Sequence, residues 1–164
     1  MISNIFKKLN YKPVREIIIL HPPDSFQPEI KEIMKETKVI SSCDKVTGID
    51  FILAFGTRQE EVELFAAAIQ EKLRGDAIVW FAYPKGTSKK YKCEFNRDNG
   101  WSSLGAIGLE GVRMVAIDQD WSALRFRKLE YIRSMTRSFS ISKQGKEKIK
   151  KKNQSFPGED SMKK

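Results

Sequence analysis

The chain has 164 residues, 40% of them hydrophobic and 31% charged, with a formal net charge of +9. Such a length suits one domain that buries its core without disulfide or metal support, and the composition is neither that of a disordered chain nor that of a membrane protein. With Cys43, Cys93 and the single histidine His21 as the whole thiol and imidazole inventory, a disulfide framework and a zinc-ligand spacing are both excluded.

The N-terminal residues, Met1 to Leu9, have neither an apolar stretch of signal-peptide length nor a small-residue cleavage site. No apolar run approaches the roughly 20 residues needed to cross a bilayer. The expectation is a cytoplasmic protein with no membrane association, in which residues 1–14 precede the domain, 15–132 form it and 133–164 are a flexible tail.

Three runs are apolar on both side-chain parities: Ile17 to Leu20, Phe51 to Phe55 and Ala77 to Ala82. Alternate strand residues face opposite sides, so these runs predict strands covered on both faces, as in a parallel sheet between helix layers. After the first strand, Phe26, Ile30, Ile33 and Met34 predict a helix over about 26–36 with Pro28 in its first turn. A short strand follows at Lys38 to Ser41, then a loop at Cys43 to Gly48. Thr57 and Glu60 read as a capping box for a helix from Thr57 to Arg74, whose apolar face is Val62, Phe65, Ala66, Ile69 and Leu73 and which Gly75 terminates. The next strand, Ala77 to Tyr83, runs into the basic loop Pro84-Lys85-Gly86-Thr87-Ser88-Lys89-Lys90. A short helix is expected at Trp101 to Ile107, with Asp98 and Asn99 as start signals and Gly108 near its end. Val112 to Ile117 is a strand, Asp118-Gln119-Asp120 a turn, and the alternation of Leu124 and Phe126 with Arg125 and Arg127 predicts an antiparallel hairpin at a sheet edge. Its charges guard that edge against unwanted pairing.

The net charge is unevenly spread. Residues 133–164 hold ten Lys or Arg against three acids, leaving 20 against 18 for residues 1–132. The tail, with Lys146, Lys148, Lys150, Lys151 and Lys152, predicts solvation and at most weak, salt-sensitive association with nucleic acid, because phosphate neutralisation releases counterions without reading sequence.

The order strand, helix, strand, helix and closing antiparallel hairpin resembles the second half of a class I, Rossmann-like methyltransferase domain. Trp80-Phe81-Ala82-Tyr83-Pro84-Lys85, Arg97-Asp98-Asn99-Gly100-Trp101, Val115-Ala116-Ile117-Asp118 and Trp121-Ser122-Ala123-Leu124-Arg125-Phe126 resemble a bacterial domain-of-unknown-function family with that core, over about Arg15 to Tyr131. The resemblance implies an α/β, three-layer Rossmann-like fold with a mostly parallel sheet, in a bacterial cytosolic setting; it implies no activity. It also makes the departures meaningful. Methyltransferases of this class end the first strand in an acidic residue and a Gly-x-Gly turn, whereas Leu20 is followed here by His21-Pro22-Pro23-Asp24. Two prolines remove two backbone donors and fix two φ angles. Ser41, Ser42 and Cys43 stand where an acid would hold ribose hydroxyls. No S-adenosylmethionine of the ordinary kind, no nicotinamide and no other cofactor is therefore expected.

Ligands of open α/β sheets sit beyond the carboxyl ends of the strands, which places His21, the Gly56-Thr57 turn and the loop after Tyr83 on one expected rim. Lys85, Lys89, Thr87 and Ser88, with Lys90, Lys92 and a permissive Gly86, have the chemistry to hold a phosphate or carboxylate; a solvated loop is the plain alternative. His21 has the chemistry of a general base, but no carboxylate is fixed beside it by spacing. Trp101 and Trp121 offer stacking faces and Arg97 or Arg125 an anion clamp, although indoles more often serve as core or helix-to-sheet packing. Asp118 and Asp120 suit turn geometry better than a metal. These readings favour a non-enzymatic binding or regulatory module for an anionic small molecule or protein partner. The alternatives are an enzyme using His21 with Lys85 or Arg97, and nucleic-acid association through the tail.

Overall fold

The computed structural model describes residues 2–96 and 99–132. Met1–Lys128 form one compact unit and Leu129–Lys164 a second; within the second, residues 129–132 are described and helical. The basic lysines from Lys146 to Lys152 and the loop residue Arg97 lie outside the described residues.

The first unit runs α1 (Asn4–Lys8), β1 (Glu16–Leu20), α2 (Gln27–Ile33), β2 (Lys38–Ile40), β3 (Ile49–Phe55), α3 (Gln59–Ile69), β4 (Leu73–Pro84), α4 (Ser102–Ala106), β5 (Leu109–Ala116) and β6 (Trp121–Lys128). Its six strands form one sheet in the order β2-β1-β3-β4-β6-β5. β1 pairs in parallel with β2 and β3, and β3 with β4, while β6 runs antiparallel to both β4 and β5. From β1 the chain steps one way to β2 and the other way to β3 and β4. Crossovers of one hand then require α2 and α3 on opposite faces. That is the arrangement found. Phe26, Ile30 and Ile33 pack with Ile17, Ile19, Phe51 and Leu53 on one face, and Val62, Phe65, Ala66 and Ile69 pack with Ile18, Ile52, Val79 and Phe81 on the other. The doubly apolar runs are thus the strands buried on both sides, and the three-layer α/β architecture is present.

Three local expectations are corrected. The segment before Arg15 is part of the domain: Phe6 and Leu9 are fully buried, and the Leu9 carbonyl accepts a 2.8 Å hydrogen bond from the buried Trp80 Nε1. Glu61, not Glu60, caps α3, its Oε1 accepting from the Thr57 and Arg58 amides at 2.8 and 3.0 Å. Gly75 does not end α3. The helix stops at Ile69, Glu71 takes the left-handed turn at φ +68°, and Gly75 at φ +50° lies inside β4, where the register against β3 shifts between Ile49 and Phe51. The expected antiparallel hairpin does close the sheet at one edge, with β6 lying against β4 and β5, mostly exposed, outermost.

Candidate functional site

β1, β3 and β4 are parallel, so His21, Gly56 and Lys85 leave the sheet at the same end. They do not share one hollow. Two cavities of about 490 Å³ each lie there, with no lining residue in common.

The first sits where the strand order reverses, between the ends of β1 and β3, the switch point at which open α/β sheets form a crevice. Leu20, Phe55, Phe65 and Phe81 make its apolar floor, and His21, Asp44, Arg58, Glu60 and Glu61 its polar wall. Arg58 pairs with Glu60 at 2.9 Å, and Glu61 is committed to the start of α3. The Ser42 hydroxyl accepts from the Asp44 amide at 3.0 Å, holding the loop after β2. His21, exposed and in a left-handed conformation at φ +54°, makes no hydrogen bond to a described residue. Cys43 lies in the wall, and burial pushes its thiol up from the ordinary range although Lys72 opposes the shift. The cavity has an acidic rim.

The second cavity lies beyond β4 and is lined by Tyr83, Lys85, Ser88, Tyr91, Lys92, Cys93 and Asn99, among others. Its walls are loops pinned by their own hydrogen bonds. The Ser88 hydroxyl donates to Asp120 Oδ1 at 2.9 Å and accepts from the Lys90 and Tyr91 amides, and the Lys85 amide donates to the Asp120 carbonyl at 2.8 Å. Ser88 is therefore a fastener of the loop, and Asp120 joins it to the hairpin. Asp118 similarly accepts from the Asp120 and Trp121 amides at 2.8 and 2.9 Å. On the far side, the Glu94 amide donates to the Thr57 carbonyl and the Glu94 carboxylate accepts from the Gln59 amide at 2.8 Å. The first turn of α3, which would otherwise attract an anion, is thus occupied by the protein's own Glu61 and Glu94. Lys85 and Lys92 line the cavity, and neither ammonium group has a partner among the described residues. Cys93 stands beside them, its thiol also raised by burial.

The remaining predicted residues fall elsewhere. Thr87 and Lys89 are exposed and line neither cavity. Trp101 is packed against the rings of Phe81, Tyr83, Phe95 and Phe126 at 4.9–5.7 Å, and its Nε1 donates to the Asn96 carbonyl. Trp121 is buried against Phe55 and Tyr91. Both indoles are packing residues rather than open stacking platforms. Sequence reasoning missed Asp44, Arg58 and Glu60, which the loops after β2 and β3 and the first turn of α3 deliver; the reversal of strand order that brings them together has no local signature. Among the described residues no cluster of His, Cys, Asp and Glu is placed to hold a metal, and no helix is long and apolar enough to cross a membrane.

No family model and no curated protein matches this chain. Solved structures do. A SAM-dependent methyltransferase from Aquifex aeolicus matches with a TM-score of 0.52 at 12% identity, covering 76% of this chain and 88% of that one. The mitomycin 7-O-methyltransferase MmcR matches with a TM-score of 0.50 at 9% identity, covering 76% of this chain and 52% of that one. At such identities the likeness concerns the fold alone: this chain is built on a Rossmann-like, methyltransferase-like scaffold.

Proposed function

We propose that the protein is a non-enzymatic binding or regulatory module on this scaffold, and that the ligand is an anion held in the cavity beyond β4 by Lys85 and Lys92. The observation that carries the reading is a hollow lined by Lys85 and Lys92, neither with a partner for its ammonium group among the described residues, beside Ser88 and Glu94 that are already hydrogen-bonded within the protein. Ammonium groups recognise phosphate or carboxylate by charge-assisted hydrogen bonds. Two facts argue against catalysis. His21 lines the other cavity, away from Lys85, and no carboxylate among the described residues holds its ring. The turn after β1, with Pro22 and Pro23 where a glycine turn would donate amides, is unsuited to S-adenosylmethionine.

Each cavity contains one cysteine, so alkylation reports which is filled. With the full chain and iodoacetamide, inorganic phosphate or a nucleoside phosphate should slow modification of Cys93 and leave Cys43 unchanged, and Lys85→Ala with Lys92→Ala should remove the protection. Protection of Cys43 by S-adenosylmethionine, with Cys93 indifferent to phosphates, would overturn the reading.

A further inference from the structure

Arg125 and Arg127 stand two positions apart on the same face of β6, and their surroundings differ. Arg127 has an acid on each flank. Asp76 of β4 accepts from its Nε at 3.0 and 3.2 Å and from Nη2 at 2.5 Å, and Glu110 lies directly across on β5. Arg125 has Trp80 across on β4 and Arg113 across on β5. It is only 9% exposed, its Nε is buried without a partner, and its guanidinium makes no hydrogen bond to any described residue. Burial first, then Arg127 and Arg113, hold its pKa below the ordinary arginine range, with Asp76 opposing.

Like charges directly opposite on neighbouring strands repel, and a buried cation without a partner is costly. Asp76 already serves Arg127 through two nitrogens. An external anion reverses the sign of the arrangement, since guanidinium groups match planar oxyanions through paired hydrogen bonds.

We propose that Arg125 and Arg113 form a binding site for a small oxyanion, a phosphate or carboxylate group, on the Trp80 face of β5 and β6. The narrow exposure of Arg125 restricts the ligand to a few atoms. The site is separate from the cavity beyond β4, since neither arginine lines that cavity, and it stands whether or not Lys85 and Lys92 bind anything.

The test is thermal unfolding of the full chain in sodium phosphate or sodium succinate against chloride at matched ionic strength, together with the NMR signal of the Arg125 Nε–H. At saturating anion the wild type should gain roughly 3 °C or more over chloride, because a ligand of the native state stabilises it by mass action. Arg113→Gln, at an exposed position, should fold normally and lose most of that gain; Arg125→Met should lose all of it. The two anions distinguish a phosphate ligand from a carboxylate one, and either sufficing supports the site. Because phosphate can also reach Lys85, Lys92 and the basic tail, an equal gain in wild type and Arg113→Gln overturns the proposal. So does an Arg125 Nε–H signal that stays fixed at saturation, a readout available even where Arg125→Met does not fold.

Discussion

The two cavities at the carboxyl end of the sheet have the same volume and opposite electrostatics. The hollow at the switch point carries Asp44, Glu60 and Glu61 against Arg58, and the hollow beyond β4 carries Lys85 and Lys92 against Glu94. A lining residue of each reaches the start of α3: Glu61 of the first takes the Thr57 and Arg58 amides, and Glu94 of the second the Gln59 amide. A scaffold that fixes where strands end therefore leaves the choice of ligand charge to the loops. In this chain the place where such sheets form their crevice is acidic, and the basic groups have moved one strand further.

Gly56, at the end of β3 beside Phe81 and Glu61, is the first place to break this contrast. A Cβ at Gly56 would lie 2.7 Å from Phe81 Cζ and 3.2 Å from Glu61 Cβ, so Gly56→Val should cost about 2–3 kcal/mol by overpacking. Urea unfolding measures that cost, and cysteine alkylation should show both Cys43 and Cys93 more reactive. A milder pair separates the two sides: Glu61→Ala and Glu94→Ala each remove a cap, at about 1 kcal/mol. Amide exchange should speed up at Thr57 and Arg58 for the first variant and at Gln59 for the second. Equal exchange at all three amides in both variants would mean that the turn responds as a unit and the contrast is not local.

Ser88→Ala should perturb only the basic side. Losing the hydroxyl that bridges Asp120 and two amides should cost roughly 0.5–1.5 kcal/mol and weaken phosphate protection of Cys93, with Cys43 unaffected. The smallest effect is in thiol chemistry. Burial raises both thiols above the ordinary cysteine range, and the thiolate is the nucleophile. Alkylation of each should therefore be slow at neutral pH and still rising where an ordinary cysteine has levelled off, with Cys93, the less buried of the two, faster throughout. A rate for either thiol that levels off near pH 7 contradicts the burial described.

Much of the fold was legible because parallel strands buried on both faces need apolar residues at every position, as Ile17 to Leu20 and Phe51 to Phe55 show. The place of β6 was not, because alternation reports which face is covered and not which strands lie alongside. Trp121 and Ala123 are buried on the face that, two residues on, carries Arg125 and Arg127, so one strand looks central at its start and marginal at its end. α1 is too short for a periodic signal. In the sites, Lys85 and Lys92 were readable as charges, but the division into two hollows depends on Glu94 reaching Gln59 across 35 positions, which no local pattern encodes.

The insertion of β6 also bears on how the chain is made. The strand synthesised last in the sheet is not the outermost one: β4 waits with an unpaired flank until Trp121 to Lys128 arrive, and β5 touches the sheet only through them. A ribosome paused before Lys128 would hold a nascent chain with a long apolar edge bare, the kind of intermediate that invites pairing with another copy.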